Sequence, residues 1–176
     1  MEKLQLNHEV SLSRIVQGLW RLTSWNMSSL EIVDFVYQCI DLGVTSFDTA
    51  EIYGNYEAER VFGEALKLDP SLRSKIEIIT KTGINMKSVK RDYRIGHYDT
   101  TYNKIIASCK KSIELMNCEY LDVYLIHRED PLIDHKEVAR ALNDLKSMGL
   151  IKSYGVSNFD PFKFEALHEH TSKQLV

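Results

Sequence analysis

The chain has 176 residues, 44% hydrophobic and 27% charged, with a net charge of -3 and a pI near 6.1. This composition suits one soluble domain with a core of its own, spanning residues 1–176. The weakly acidic balance gives no reason to expect nucleic acid or an anionic membrane as partner, and the basic run within residues 85–98 reads as a solvated loop.

The three cysteines, Cys39, Cys109 and Cys118, form no CxxC pair. Buried thiols in a reducing compartment fit that spacing. The N-terminal residues include acids and no apolar signal region, and no stretch approaches the roughly 18 apolar residues of a membrane span. A cytoplasmic location is the expectation.

In chain order, LQL (4–6) and VSL (10–12) predict a small hairpin within residues 1–13. Ile15 to Gly18 reads as a short strand. Ser28 with Glu31 three residues on predicts a capping box. The helix it starts places Leu30, Val33, Tyr37 and Ile40 on one face and stops at Gly43. A strand from Val44 to Phe47 runs into Asp48, and Tyr53 and Gly54 follow in a loop. A helix from about Glu57 to Leu68 turns Val61, Ala65 and Leu68 inward. IEIIT (76–80) is a strand followed by Lys81. A long loop over 82–100 leads to a helix from Tyr102 to Met116, with Ile105, Cys109, Ile113 and Met116 at helical spacing. LDVYLI (121–126) is a strand followed by His127. The helix Lys136 to Met148 ends at Gly149, strand SYGV (153–156) runs into Ser157 and Asn158, and a short helix over Pro161–His168 precedes a further strand beginning at QLV (174–176).

This alternation, with unbroken apolar strands, predicts an α/β fold built on a parallel sheet. In such folds the site lies at the carboxyl ends of the strands. Four successive strands end in Asp48, Lys81, His127 and Ser157-Asn158. Singly, each has a plain structural explanation: a helix cap, a surface charge, a satisfied interior histidine. Their equivalent positions in consecutive repeats do not. Together these types can deliver a proton to an oxygen. Tyr53, with an ordinary pKa of about 10, becomes a competent acid beside the Lys81 ammonium, which Asp48 holds charged. His127 can hydrogen-bond a substrate carbonyl. The set suits carbonyl reduction and needs a cofactor to supply hydride.

From about Arg14 onward these segments resemble the aldo-keto reductases. FDTAEIYG looks like the family's aspartate-tyrosine motif, IITKTG like its lysine motif, YLDVYLIHREDPL like its histidine motif, and GLIKSYGVSNF like the segment that holds the nicotinamide carboxamide. HREDPL and GLWRL look closest to the bacterial oxidoreductase branch. The resemblance implies a parallel (β/α)8 TIM barrel and NADPH-dependent reduction of aldehydes or ketones, with a small-molecule carbonyl as substrate. It implies Tyr53 as general acid, Asp48 and Lys81 as its tuning pair, and His127 as substrate orienter. It also implies Gly18, Trp20, Ser157 and Asn158 as NADP contacts. Trp20 and Trp25 wall the pocket in this reading, or serve as lid or core aromatics. Glu51 stands where the family commonly has aspartate, and Glu129 where this branch often has proline.

A barrel of this kind takes about 250 residues, so the resemblance implies only the first five to six β/α units here. The remaining cofactor contacts would then lie beyond Val176, and the open barrel edges would favour self-association. A fragment, an early stop or a barrel half completed by a second copy would each give this pattern. A non-catalytic remnant or regulatory subunit is the competing reading. A metal-dependent hydrolase using Asp48, His127 and Asp130 fits less well, because Lys81 opposes a cation, and no metal ligand set is expected.

Overall fold

A computed structural model describes residues 2–171 and 175–176. The elements in chain order are β1 (Lys3–Gln5), β2 (Ser11–Ser13), β3 (Val16–Gly18), α1 (Ser29–Asp41), β4 (Ser46–Asp48), the single turn α2 (Tyr53–Tyr56), α3 (Ala58–Leu68), β5 (Glu77–Thr82), β6 (Ile84–Asn85), β7 (His97–Tyr98), α4 (Tyr102–Leu115), β8 (Leu121–Ile126), α5 (His135–Ser147), β9 (Ile151–Val156) and α6 (Pro161–His168). The central sheet has the order β3-β4-β5-β8-β9, and every neighbouring pair is parallel. The expected α/β alternation is therefore the architecture. The last expected strand is met in part: Leu175 bridges Tyr154 in parallel and Val176 bonds the backbone of Tyr154 and Val156, while Gln174 lies outside the described residues.

Strand side chains alternate between faces, and that alternation separates two apolar clusters. Phe47, Ile78, Tyr124 and Tyr154 face the helices and join the main core with Ile32, Val36, Phe62, Ile105 and Leu142. Ile79 and Val123 face the other way, where Val10 closes over them with Leu6, Leu12 and Leu125. The β1-β2 hairpin thus floors the concave face of the sheet. Asn7 closes its turn by accepting from the backbone N–H of Glu9 and Val10 at 2.8 and 2.9 Å. Ser13 ties it to β4: its N–H donates to Ser46 Oγ at 2.8 Å, and its Oγ accepts from the N–H groups of Thr45 and Ser46.

Helix signals act as the sequence predicts at their ends. Ser28 Oγ accepts from the Glu31 N–H at 3.3 Å, and Glu31 accepts from the Ser28 N–H at 2.7 Å, closing the capping box. Two packing faces differ from expectation. In α1 the buried residues are Ile32, Val36 and Cys39, and Leu30 is exposed. The helix carries two overlapping apolar stripes, and the one centred on Val36 meets the sheet. In α3 the buried stripe is Ala58, Glu59, Phe62, Ala65 and Leu66, with Leu68 exposed. Phe62 sets that rotation by stacking on Phe47 with ring centroids 5.7 Å apart.

The long 82–100 segment holds the short β6-β7 ribbon. Its basic run is largely solvated, as expected, with Lys87, Lys90 and Arg94 exposed and Arg91 half-buried. Lys90 pairs with Glu57, and the Arg91 guanidinium lies 4.5 Å over the Tyr56 ring. No helix among the described residues is long and apolar enough to cross a membrane.

Candidate active site

The same alternation that floors the sheet builds the site above it. On β5, Ile79 belongs to the concave cluster, so Lys81, two residues on, shares its face. On β8, Val123 and Leu125 lead to His127 in the same way. On β9, Ser153 bonds Asn7 of the hairpin at 3.1 Å, so Gly155 and Ser157 follow on that side. On β4, Ser46 meets Ser13 and Asp48 follows, and Gly18 of β3 is in register with Asp48. The five strands thus present Gly18, Asp48, Lys81, His127 and Ser157 on one face at their carboxyl ends.

Lys81 is the hub. Its Nζ lies 2.6 Å from Asp48 Oδ1 and donates to the Thr49 carbonyl at 2.8 Å and to the Tyr53 hydroxyl oxygen at 3.4 Å. The Lys81 side chain is 7% exposed and that of Asp48 28%, so the pair is largely sheltered from screening. Tyr53 is held by a sharp turn. Its N–H donates to the Ala50 carbonyl at 3.0 Å, and the next residue, Gly54, has φ 57. A Cβ at Gly54 would lie 2.5 Å from the Thr23 methyl, so both the backbone conformation and the close approach require glycine there.

His127 packs edge-on against Tyr53, with ring centroids 5.6 Å apart and the planes at 75°. Burial pushes its pKa down to about 4, and the Lys81 and Arg128 cations add to the shift. At neutral pH the imidazole is uncharged and can donate one hydrogen bond. Asn158, at φ 59, donates through Nδ2 to the His127 carbonyl at 3.0 Å and to Ser157 Oγ at 2.8 Å. Its side-chain carbonyl is left to accept from a ligand.

The two tryptophans separate. Trp20 is 65% exposed, and its ring centroid lies 6.4 Å from that of Tyr53. Trp25 rests edge-on against Phe35 of α1 at 5.4 Å. Two features off the predicted set are a backbone contact in the site and a buried acid on the helix side of the sheet. The Thr49 contribution is a backbone carbonyl, which any residue supplies. Glu59 is 2% exposed and accepts from Thr80 Oγ1 at 2.5 Å and Ser112 Oγ at 3.1 Å. Burial raises its pKa to about 7. An acid beside Ala58 and Phe62 on an apolar stripe is the pattern that could have flagged it.

The sequence matches the aldo/keto reductase family over residues 14–176. The chain belongs to that family. Aldo-keto reductases typically use a nicotinamide cofactor. The chain is similar to the oxidoreductase YdhF of Escherichia coli, 47% identical over 88% of this chain and 52% of that protein. It is similar to a 6-dehydroglucose reductase of Agrobacterium fabrum, 41% identical over 100% of this chain and 60% of that one. Among solved structures, the glycerol dehydrogenase of Gluconobacter oxydans superposes with a TM-score of 0.77 at 27% identity, covering 92% of this chain and 49% of the other. The chain therefore spans about half the length of the relatives it matches, and its parallel sheet corresponds to about half of their barrel.

Proposed function

We propose that the chain is one aldo-keto reductase-like domain carrying the catalytic half of an NADPH-dependent reductase of small aldehydes or ketones, acting in the cytoplasm. The observation that carries this reading is the contact of Lys81 Nζ with both Asp48, at 2.6 Å, and the Tyr53 hydroxyl, at 3.4 Å. The ammonium lies where it can stabilise negative charge on the phenol oxygen as Tyr53 passes its proton to a carbonyl oxygen and alkoxide charge develops. Asp48 aims Lys81. Neutral His127 donates a hydrogen bond to the same carbonyl oxygen and fixes it against Tyr53. Similarity to a 6-dehydroglucose reductase supports reduction as the direction.

The strand ends fit the nicotinamide end of the cofactor. A Cβ at Gly18 would meet nothing within 4 Å, which leaves open space beside Asp48 for a flat ring. Trp20 offers an exposed aromatic face, and Ser157 and Asn158 offer a hydroxyl and an amide carbonyl to a carboxamide. When bound, the reduced nicotinamide supplies the hydride that no side chain can. Trp20 and Trp25 wall the substrate pocket in this reading, Trp25 steadied edge-on by Phe35 of α1.

Titrating the chain with NADPH while following nucleotide fluorescence tests the reading. Micromolar affinity together with aldehyde-dependent oxidation of NADPH supports it. Absence of binding at millimolar NADPH sinks it for this chain.

A further inference from the structure

The Tyr53 turn is gripped by a second ion pair that the proton-transfer set does not use. Glu51, two residues before Tyr53, holds Lys104 at 2.7 Å, and the two side chains are only 10% and 11% exposed. The other Glu51 carboxylate oxygen accepts from Thr82 Oγ1 at 3.0 Å, and the Glu51 N–H donates to the Lys81 carbonyl at 3.0 Å. One residue therefore ties the segment between Asp48 and Tyr53 to β5 at Lys81 and Thr82, and to the first turn of α4 at Lys104.

A gain in stability does not explain this arrangement. A lysine in the first turn of a helix sits at the unfavourable end of the helix dipole. Withdrawing two charges from water offsets most of their attraction, so an apolar pair of equal volume would serve stability as well or better. What the charged pair adds is direction: two oxygens held by two different elements leave the carboxylate, and the turn that carries it, one orientation.

We propose that Glu51 and Lys104 are a positioning pair that sets the approach of the Tyr53 hydroxyl to the substrate carbonyl. The proposal rests on Tyr53 being the proton donor.

The test labels the tyrosine rings of this chain with carbon-13 and reads them by NMR, with the Tyr53 signal assigned by Tyr53→Phe. In Lys104→Met the Tyr53 signal is expected to move or split, while the signal of Tyr154, whose hydroxyl bonds Asn143 and the Thr171 carbonyl, stays in place. Lys104→Arg, which keeps the charge, is expected to restore a single signal near its original position. Where turnover is measured, kcat in Lys104→Met falls by about 10²-fold with KM little changed. Should Lys104→Met fail to fold, Thr82→Val removes the hydroxyl contact to Glu51 and is expected to move the same signal, with Tyr154 again the reference. An unmoved Tyr53 signal in a folded Lys104→Met or Thr82→Val chain overturns the proposal. Failure of the underlying reading is separate, since it would show as full turnover in Tyr53→Phe whatever the NMR result.

Discussion

Lys81 Nζ stands 3.4 Å from the Tyr53 hydroxyl, although the two residues are carried by a strand and a turn 28 positions apart in the chain. The lysine's other contacts, to Asp48 and the Thr49 carbonyl, fix its ammonium in place. The contact to Tyr53 is thus available whenever the sheet is formed.

Lys81→Met removes the cation 3.4 Å from the Tyr53 hydroxyl and keeps most of the apolar stem. Carbonyl reduction should fall by about 10²- to 10³-fold, within the range of general acid catalysis, with the loss in kcat. Steady-state kinetics of the two proteins check it. A loss confined to KM would instead place Lys81 in substrate binding.

His127 links the site to pH-dependent stability. Its pKa in the folded chain, about 4, lies below the ordinary value of about 6.5, so protonation favours the unfolded state. The contribution is fully present above about pH 6.5 and is lost as pH falls through about 4, up to about 3 kcal/mol. Urea unfolding at pH 7, 5 and 4 should show this loss in the parent chain and a smaller one in His127→Gln. Equal losses in both would contradict it.

Gly63 decides the sign of another substitution. In a helix interior alanine is ordinarily better than glycine by about 1 kcal/mol. Here a Cβ at Gly63 would lie 1.9 Å from the Leu115 carbonyl oxygen and 2.7 Å from the Met116 Cα, both backbone. Gly63→Ala should therefore destabilise the chain by about 1–3 kcal/mol through overpacking of α3 against α4. Thermal or urea unfolding measures it, and a stabilised variant would show that the helices can part without cost.

The sequence made the strands and their terminal residues legible because β5 and β8 carry β-branched and other apolar residues, Ile78 and Ile79 in one and Val123 to Ile126 in the other. Two-residue alternation then carries Ile79 to Lys81 and Leu125 to His127 without reference to anything distant. It misplaced the α1 face because the stripe through Ile32, Val36 and Cys39 is as apolar as the one begun by Leu30, and only tertiary packing chooses between them. The burial of Glu59 was signalled only by its place on an apolar stripe; its hydroxyl partners Thr80 and Ser112 are not shown by the sequence to be neighbours. The Glu51 pairing with Lys104 spans 53 positions and joins a turn to a helix, a relation that no local pattern encodes.

The most direct test of the account is the turnover of Tyr53→Phe with NADPH and an aldehyde, with cofactor affinity measured on the same protein. The account predicts that reduction falls by at least about 10²-fold while NADPH affinity is nearly unchanged, because the hydroxyl alone is lost. Turnover equal to that of the parent chain would contradict Tyr53 as the proton donor.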